Sequence, residues 1–105
     1  MRRIAGLVVG AVFTIAVVGS ASGQDAVETG KRQFVVQGCY GCHTVEKFGT
    51  PIGPDLSRIG AKYPKDALVR WLTNPEAERP TAHMPKLELS ADEIESLATY
   101  LAALQ

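Results

Sequence analysis

The chain has 105 residues, which leaves room for one small domain. Its 11 Lys and Arg residues equal its 11 Asp and Glu residues in number, so it lacks the basic excess that is typical of nucleic-acid-binding proteins. Without the N-terminal segment described next, roughly 80 residues remain, and a domain of this size usually needs a staple in addition to its apolar core.

The N-terminal segment has the pattern of a secretory signal peptide. Arg2-Arg3 form a basic start, residues 4–18 are apolar, and residues 19–23 are small. The small residues allow more than one cleavage point. We therefore predict a signal peptide over 1–23 and a functional domain over 24–105.

An uncleaved membrane anchor is the alternative for this segment. Residues 4–24 carry no charge and come close to the length that spans a bilayer. Glycines dilute the run, however, and it ends in small polar residues instead of Leu or Trp. Both interpretations place the domain outside the cytoplasm.

Residues 25–37 suit a first helix, which Asp25 or Thr29 can cap. Gly30 and Phe34 lie one turn apart and therefore share a face. Because glycine inside a helix costs about 1 kcal/mol relative to alanine, we expect Gly30 to mark the close approach of another helix.

The most specific feature is Cys39-Tyr40-Gly41-Cys42-His43. In an exported protein this spacing predicts covalent attachment of haem. The two thiols add to the two haem vinyl groups, and a histidine beside the second thioether can reach only one face of the ring. Cys39 and Cys42 are therefore predicted to hold one haem c, with His43 as the proximal iron ligand. The haem would also be the staple that a small domain needs.

Two other interpretations of the cysteines fit less well. A thioredoxin-type redox pair expects a strand before the motif and a helix after it, and no strand pattern precedes Cys39. A zinc site needs four ligands. The chain offers only Cys39, Cys42, His43 and His83, two of which are adjacent.

The stretch from Thr44 to Leu56 is predicted to be a structured loop, because it contains two prolines and two glycines. A proximal histidine normally donates its second ring N–H to a fixed acceptor. A backbone carbonyl of this loop can supply that acceptor. We expect Leu56 and Ile59 to contact the face or edge of the haem.

A second clear helix is predicted to begin at Tyr63-Pro64 and to stop at Asn74-Pro75. Leu68 and Leu72 form its apolar face. Trp71, the only tryptophan, is predicted to pack against the haem or its propionates. Docking of a partner protein is the alternative role for Trp71.

Residues 76–86 are predicted to form a loop that carries the distal ligand. Met84 stands between His83 and Pro85 and can lie over the far face of the ring. A thioether there favours ferrous iron and raises the reduction potential. His83 could ligate instead, and an open or water-filled position is a further alternative, but Pro85 fixes the backbone at the methionine and favours Met84.

Ser90-Ala91-Asp92-Glu93 is a capping box that opens the last helix. Apolar residues follow it at helical spacing, namely Ile94, Leu97, Ala98, Leu101 and Leu104. We expect this helix to pack against the first one, at Gly30 and Phe34.

Together these motifs resemble the class I monohaem cytochrome c family. The attachment motif, Gly53-Pro54-Asp55-Leu56, Met84-Pro85 and the two terminal helices carry the resemblance. It implies a small all-α fold in which crossed N- and C-terminal helices pack around covalent haem c. It also implies that His43 and Met84 are the axial ligands and that the Pro54 carbonyl accepts a hydrogen bond from His43.

The resemblance further implies an electron-transfer protein. We do not expect an enzyme, since no coordination site is left free and no residues are grouped for acid–base work. The short loops and the leader favour a bacterial protein of the periplasm. We expect redox partner proteins, no nucleic acid, and membrane association only if the leader is uncleaved. The alternatives are a haem c subunit of a periplasmic oxidoreductase complex and a gas or redox sensor, which would need Met84 to leave the iron.

Overall fold

The computed structural model describes Arg3, residues 5–15 and residues 23–105. Arg2 and the small residues 19–22 of the expected signal peptide lie outside the described residues. Residues 5–15 are exposed and form neither helix nor strand. Among the described residues, no helix has the length and apolar character needed to cross a membrane.

Residues 23–105 fold into short helices and one small hairpin. In chain order the elements are α1 (Gly23–Val36), a 3-10 turn (Cys39–Gly41), β1 (Thr44–Val45), β2 (Phe48–Gly49), α2 (Ile59–Lys62), α3 (Lys65–Thr73), α4 (Pro75–Glu78) and α5 (Ala91–Ala102). The two strands pair antiparallel. Because each strand has only two residues, the expectation of an all-α fold is confirmed.

The first and last helices cross at Gly30. A Cβ atom at this position would overlap the carbonyl oxygen of Ser96 and lie 2.6 Å from the Cβ of Tyr100. Phe34, one turn further along α1, is only 1% exposed, and its ring centroid lies 5.6 Å from that of Tyr100. The predicted crossing, and the reason for a glycine inside α1, are therefore confirmed.

One apolar core lies between α1, α3 and α5. Its buried members are Phe34, Val45, Leu68, Leu72, Leu97, Ala98, Tyr100 and Leu101. The prediction that Leu68 and Leu72 form the apolar face of α3 is therefore confirmed. Burial of such side chains contributes about 25 cal/mol per Å² of apolar surface.

The ends of the two terminal helices differ in how well the sequence predicts them. Helix α1 already includes Gly23, so Asp25 lies in the first turn and is not the N-cap. Thr29 lies inside the helix, where its hydroxyl donates to the carbonyl of Asp25 (2.9 Å). At α5 the capping box is confirmed, because Ser90 Oγ accepts from the Glu93 N–H (3.1 Å) and Glu93 Oε1 accepts from the Ser90 N–H (2.8 Å).

Two stretches predicted as loops contain short regular elements. The first is the β1–β2 hairpin, which turns at Glu46 in the left-handed region (φ 57°). The prolines of that stretch lie beyond the hairpin and so do not prevent it. The second is α4, which begins at Pro75, where a helix needs no N–H donor. The prediction of a continuous loop over 76–86 is thus wrong for its first residues.

Candidate functional site

The attachment motif forms a tight turn directly after α1. The backbone N–H groups of Cys42 and His43 both donate to the Cys39 carbonyl, at 3.2 and 3.0 Å. Cys39 is half-buried and packs against the core, whereas Cys42 is exposed. Burial raises the pKa of the Cys39 thiol. The turn therefore presents one sulfur at the core and one at the surface, with His43 directly after the second.

Tyr40 connects this turn to the helix crossing. Its ring lies edge-on to Phe34, with the two centroids 4.7 Å apart. Such aromatic pairs contribute about 0.5–1.5 kcal/mol beyond their buried area. Burial, together with the nearby Tyr40, raises the pKa of Tyr100 to about 12. The sequence pattern assigns Tyr40 no role beyond its place between the two cysteines, so its packing role emerges from the structure alone.

The imidazole of His43 is oriented by Pro54. Its Nδ1 lies 2.7 Å from the Pro54 carbonyl oxygen. Because a carbonyl can only accept, Nδ1 carries the proton and donates, which leaves the lone pair of Nε2 for a metal. A hydrogen bond of this kind fixes the ring and raises its basicity as a ligand.

Gly53 makes room for that imidazole. A Cβ atom at this position would lie 2.8 Å from Cε1 and 3.0 Å from Nδ1 of His43. The backbone N–H of Gly53 donates to the Cys42 carbonyl, and the N–H of Leu56 donates to the Thr44 carbonyl (2.8 Å). The loop that carries the acceptor is thus bound by its own backbone to the residues on both sides of His43.

Asp55 adds a side-chain brace to the same loop. One of its carboxylate oxygens accepts from the hydroxyls of Thr44 (2.8 Å) and Ser57 (2.9 Å). These hydroxyls, that of Thr44 first, lower the pKa of Asp55. The Ser57 oxygen in turn accepts from the backbone N–H of Glu46 (2.6 Å). The brace joins the hairpin turn to the residue after the His43 acceptor, and sequence reasoning did not identify it.

Met84 lies in a different part of the chain and is held by Trp71. It is half-buried and packs against the core. The indole Nε1 of Trp71 lies 3.1 Å from the Met84 sulfur. Because an indole N–H can only donate, the sulfur is the acceptor, and its second lone pair remains for a metal. His83, the alternative ligand, is exposed.

The expected haem contacts Leu56 and Ile59 are half-buried and pack against the same core as Cys39 and Met84. One core is therefore contacted by the thiol of Cys39, by these two aliphatic side chains and by the thioether of Met84. These groups fit a covalently attached haem: the two thiols could attach the ring, and the imidazole Nε2 and the thioether could ligate the iron. Within the described part of the chain, no three His, Cys, Asp or Glu side chains are grouped to hold a metal ion, so the zinc alternative has no site there.

Comparison with known protein families tests the interpretation of the cysteine motif as a haem attachment site. The family model for cytochrome c matches residues 27–105. The chain belongs to the cytochrome c family. This cytochrome therefore carries covalently bound haem c and has a haem-based electron-transfer role, and the spacing of Cys39 and Cys42 is consistent with attachment at these thiols. No curated protein matches the chain.

Proposed function

We propose that this cytochrome is a one-electron carrier of the periplasm, with His43 and Met84 as the two axial ligands of its haem iron. The observation that carries the proposal is the hydrogen bond from His43 Nδ1 to the Pro54 carbonyl, directly after the two cysteines. That bond aims Nε2 away from the loop, as a proximal ligand requires. The hydrogen bond from the Trp71 indole N–H to the Met84 sulfur supports the second ligand, because it fixes the sulfur and leaves one of its lone pairs for the iron.

The chemistry supplied by the bound haem is a change of its iron between the ferric and ferrous states. The role of the protein is to hold both ligands still during that change. The Pro54 carbonyl fixes the imidazole and the Trp71 N–H fixes the thioether. With both axial positions filled by side chains, no position remains for a substrate, so we propose a carrier and not an enzyme.

The optical spectrum of the purified haem protein tests the ligand assignment. A sulfur–iron bond gives ferric haem a weak absorption band in the red region, and reduction removes it. We expect this band in the wild type and in His83→Ala, and its loss in Met84→Ala. Absence of the band from the wild type, or its persistence in Met84→Ala, would contradict the assignment.

We propose that electron exchange with redox partner proteins takes place next to the attachment motif. Phe48 is 68% exposed and Ile52 is 74% exposed. Their chain neighbours Gly49 and Gly53 approach the backbone of His43 and Cys42, so these two apolar side chains belong to the hairpin and loop that pack on the attachment motif. Redox encounters are typically small and brief, and such a surface suits them.

Lys47 lies between the two strands of the hairpin and is exposed, so it can attract an acidic partner to this surface. We expect Lys47→Glu to slow electron exchange with such a partner at low salt, because surface charges act mainly on the association rate. Lys31→Glu on α1 is the matched control. Equal rates in both variants would remove Lys47 from the docking surface.

Two measurements separate the carrier from the other roles. Slow or absent binding of carbon monoxide to the reduced protein at neutral pH is expected of a carrier, whereas rapid binding would indicate a sensor in which Met84 leaves the iron. Purification of the native protein as a single polypeptide is expected. Co-purification with a larger polypeptide would favour a subunit of an oxidoreductase complex.

The proposed location rests on the leader pattern over residues 1–23. Expression of the full chain in a bacterial host, followed by cell fractionation and intact mass measurement, tests it. We expect the haem protein in the periplasmic fraction, with a mass that lacks the leader. A membrane-bound protein of full mass would instead identify an anchor, and a cytoplasmic haem-free protein would contradict export.

A further inference from the structure

The side chain of Gln37 joins two regions that lie far apart in the chain. Its amide Nε2 donates to Oε2 of Glu93 (2.7 Å), which lies 56 residues further along. The same amide group lies 3.2 Å from Oε1 of Gln33, one turn back on α1. Because a carboxylate can only accept, the amide of Gln37 presents its N–H groups to Glu93. Both residues are half-buried, so the bond between the end of α1 and the start of α5 is partly shielded from water.

We infer that Gln37 is a positioning residue that keeps Met84 at the haem iron, because it ties the end of the distal segment (residues 79–89) to the attachment turn. The inference rests on the proposed ligation by Met84. It concerns how that side chain is held and goes beyond which residue is the ligand.

The carboxylate of Glu93 connects this bond to the end of the distal segment. Its Oε1 accepts from the backbone N–H of Ser90 (2.8 Å), and the Ser90 hydroxyl accepts from the N–H of Glu93 (3.1 Å). This capping box uses one carboxylate oxygen and leaves Oε2 for Gln37. Ser90 directly follows the distal segment. Gln37 therefore holds the N-cap of α5 and, with it, the point at which the distal segment ends.

The other end of the bond lies next to the haem tether. Gln37 stands two residues before Cys39. Gly38 lies between them in the left-handed region (φ 76°), which favours glycine, and its carbonyl accepts from the N–H of Gly41 (2.9 Å). The backbone of Gln37 is therefore fixed between α1 and the attachment turn. Because covalent attachment at Cys39 ties that turn to the haem, the bond to Glu93 sets the position of the distal segment relative to the haem.

The distal segment depends on such an anchor because it has few hydrogen bonds of its own. Within residues 84–89 of the described structure, the one backbone bond is that from Leu89 to Leu87 (3.0 Å). Segments with few internal bonds open at a low cost in free energy, and an open segment takes Met84 with it. A hydrogen bond to a charged group is stronger than one between neutral groups. The bond from Gln37 therefore raises the free-energy cost of opening.

Imidazole binding to the ferric protein measures how readily Met84 departs. Added imidazole takes the place of the thioether, and at high imidazole concentration its binding rate is limited by that departure. We expect Gln37→Ala to raise this limiting rate by about tenfold, because it removes a hydrogen bond to a charged group. Gln24→Ala is the matched control, since Gln24 is an exposed glutamine in the first turn of α1. Its limiting rate should equal that of the wild type.

A reversed pair tests whether the bond itself matters. Gln37→Glu alone places two carboxylates against each other, so the limiting rate should rise further than in Gln37→Ala. Adding Glu93→Gln restores a donor and an acceptor in the opposite order. The amide at position 93 can still accept from the Ser90 N–H, so the capping box is kept, and its N–H groups can donate to the carboxylate at position 37. The limiting rate of the double variant should return close to that of the wild type.

The outcomes separate this inference from the proposed function. A wild-type ferric spectrum without the red-region band would overturn the ligation by Met84 and the inference with it. With that band present, equal limiting rates in Gln37→Ala and Gln24→Ala would overturn the inference alone. A limiting rate in the reversed pair as high as in Gln37→Glu would also overturn it, since the effect would then come from altered packing at position 37 and not from the bond.

Denaturant unfolding of the same haem proteins identifies a purely structural role. A bond that stays intact while Met84 departs lowers the global stability when it is removed, but it leaves the limiting rate unchanged. Gln37→Ala with reduced stability and a wild-type limiting rate would therefore overturn the inference. A raised limiting rate, with the helical circular dichroism and the covalent haem retained, is the result that we expect.

Discussion

The two regions that carry the proposed iron ligands of this cytochrome are held in different ways. The proximal loop (residues 42–57) is bound to itself, by backbone hydrogen bonds, by the hairpin and by the Asp55 brace. The distal segment (residues 79–89) has few internal hydrogen bonds, and its ligand candidate is fixed by Trp71 from another helix.

This difference indicates which proposed ligand is the more dependent on the rest of the fold. His43 and its acceptor Pro54 are 11 residues apart, so a local loop can hold them without help from distant elements. Met84 needs α3 to be packed on the core before Trp71 can reach it. We therefore expect disturbances of the core to affect the Met84 region first.

Removing the tether should abolish both regions together and is the largest effect that we expect. The double variant Cys39→Ala, Cys42→Ala cannot form thioethers, and a domain this small has little core without its staple. Far-UV circular dichroism should show loss of most helical signal, while Gly41→Ala, which leaves both thiols, should stay folded. A native-like helical spectrum in the double variant would contradict the expectation.

A single methyl group at Gly53 should damage the proximal loop selectively. The added Cβ of Gly53→Ala would lie 2.8 Å from His43 Cε1, so either the imidazole or the loop must move. We expect the free energy of unfolding of the haem protein to fall by about 1–3 kcal/mol, as for other overpacked sites, measured by denaturant titration. Gly41→Ala is the matched control, because nothing lies within 4 Å of its added Cβ. Equal stability of the two variants would show that the loop adapts.

Hydrogen exchange compares the two regions directly. Amides of the proximal loop with backbone partners, such as those of Leu56 and Thr50, should be protected. Amides of the distal segment should exchange about tenfold faster or more, which corresponds to ~1.4 kcal/mol less opening free energy. Equal protection in the reduced protein would mean that ligand contacts, and not hydrogen bonds, determine the stability of the distal segment.

Acid should weaken the proximal loop through Asp55, and this is the smallest effect that we expect. Hydroxyl donors lower the pKa of this carboxyl below its ordinary value of 3.8. The folded state therefore holds the proton less tightly than the unfolded state, so the stabilisation is present above the unfolded pKa and is lost as the pH falls through the folded pKa.

Asp55→Asn tests this dependence. The variant should be less stable than the wild type at neutral pH, and the difference should shrink as the pH falls below 3.8. Denaturant unfolding at a series of pH values measures both curves. Parallel curves would show that the carboxylate contributes nothing to the pH dependence.

The longer helices were predictable because their signals are local. The spacing of Leu68 and Leu72, the capping box at Ser90 and the glycine at position 30 each report a helix or its contact. A periodic apolar face needs only a partner of matching shape, which any compact arrangement of three helices provides.

The short elements were not predictable, because distant contacts stabilise them. Helix α2 has four residues, too few to be stable alone. Its Gly60 N–H donates to the Leu104 carbonyl at the end of the chain (2.7 Å). No pattern within residues 59–62 encodes that partner. The hairpin likewise depends on the bond from Glu46 to Ser57.

The sequence by itself determined the chemistry of this cytochrome. The spacing of Cys39, Cys42 and His43 specifies the cofactor, and the proline after Met84 marks the candidate for the second ligand, because such constraints act along a few consecutive residues. Only the tertiary structure decided what surrounds His43 and Met84: the glycine against the imidazole, the braced acceptor loop and the indole at the sulfur. Those contacts depend on distances of a few ångströms between residues that are separated in the chain, and such distances are set when the helices pack.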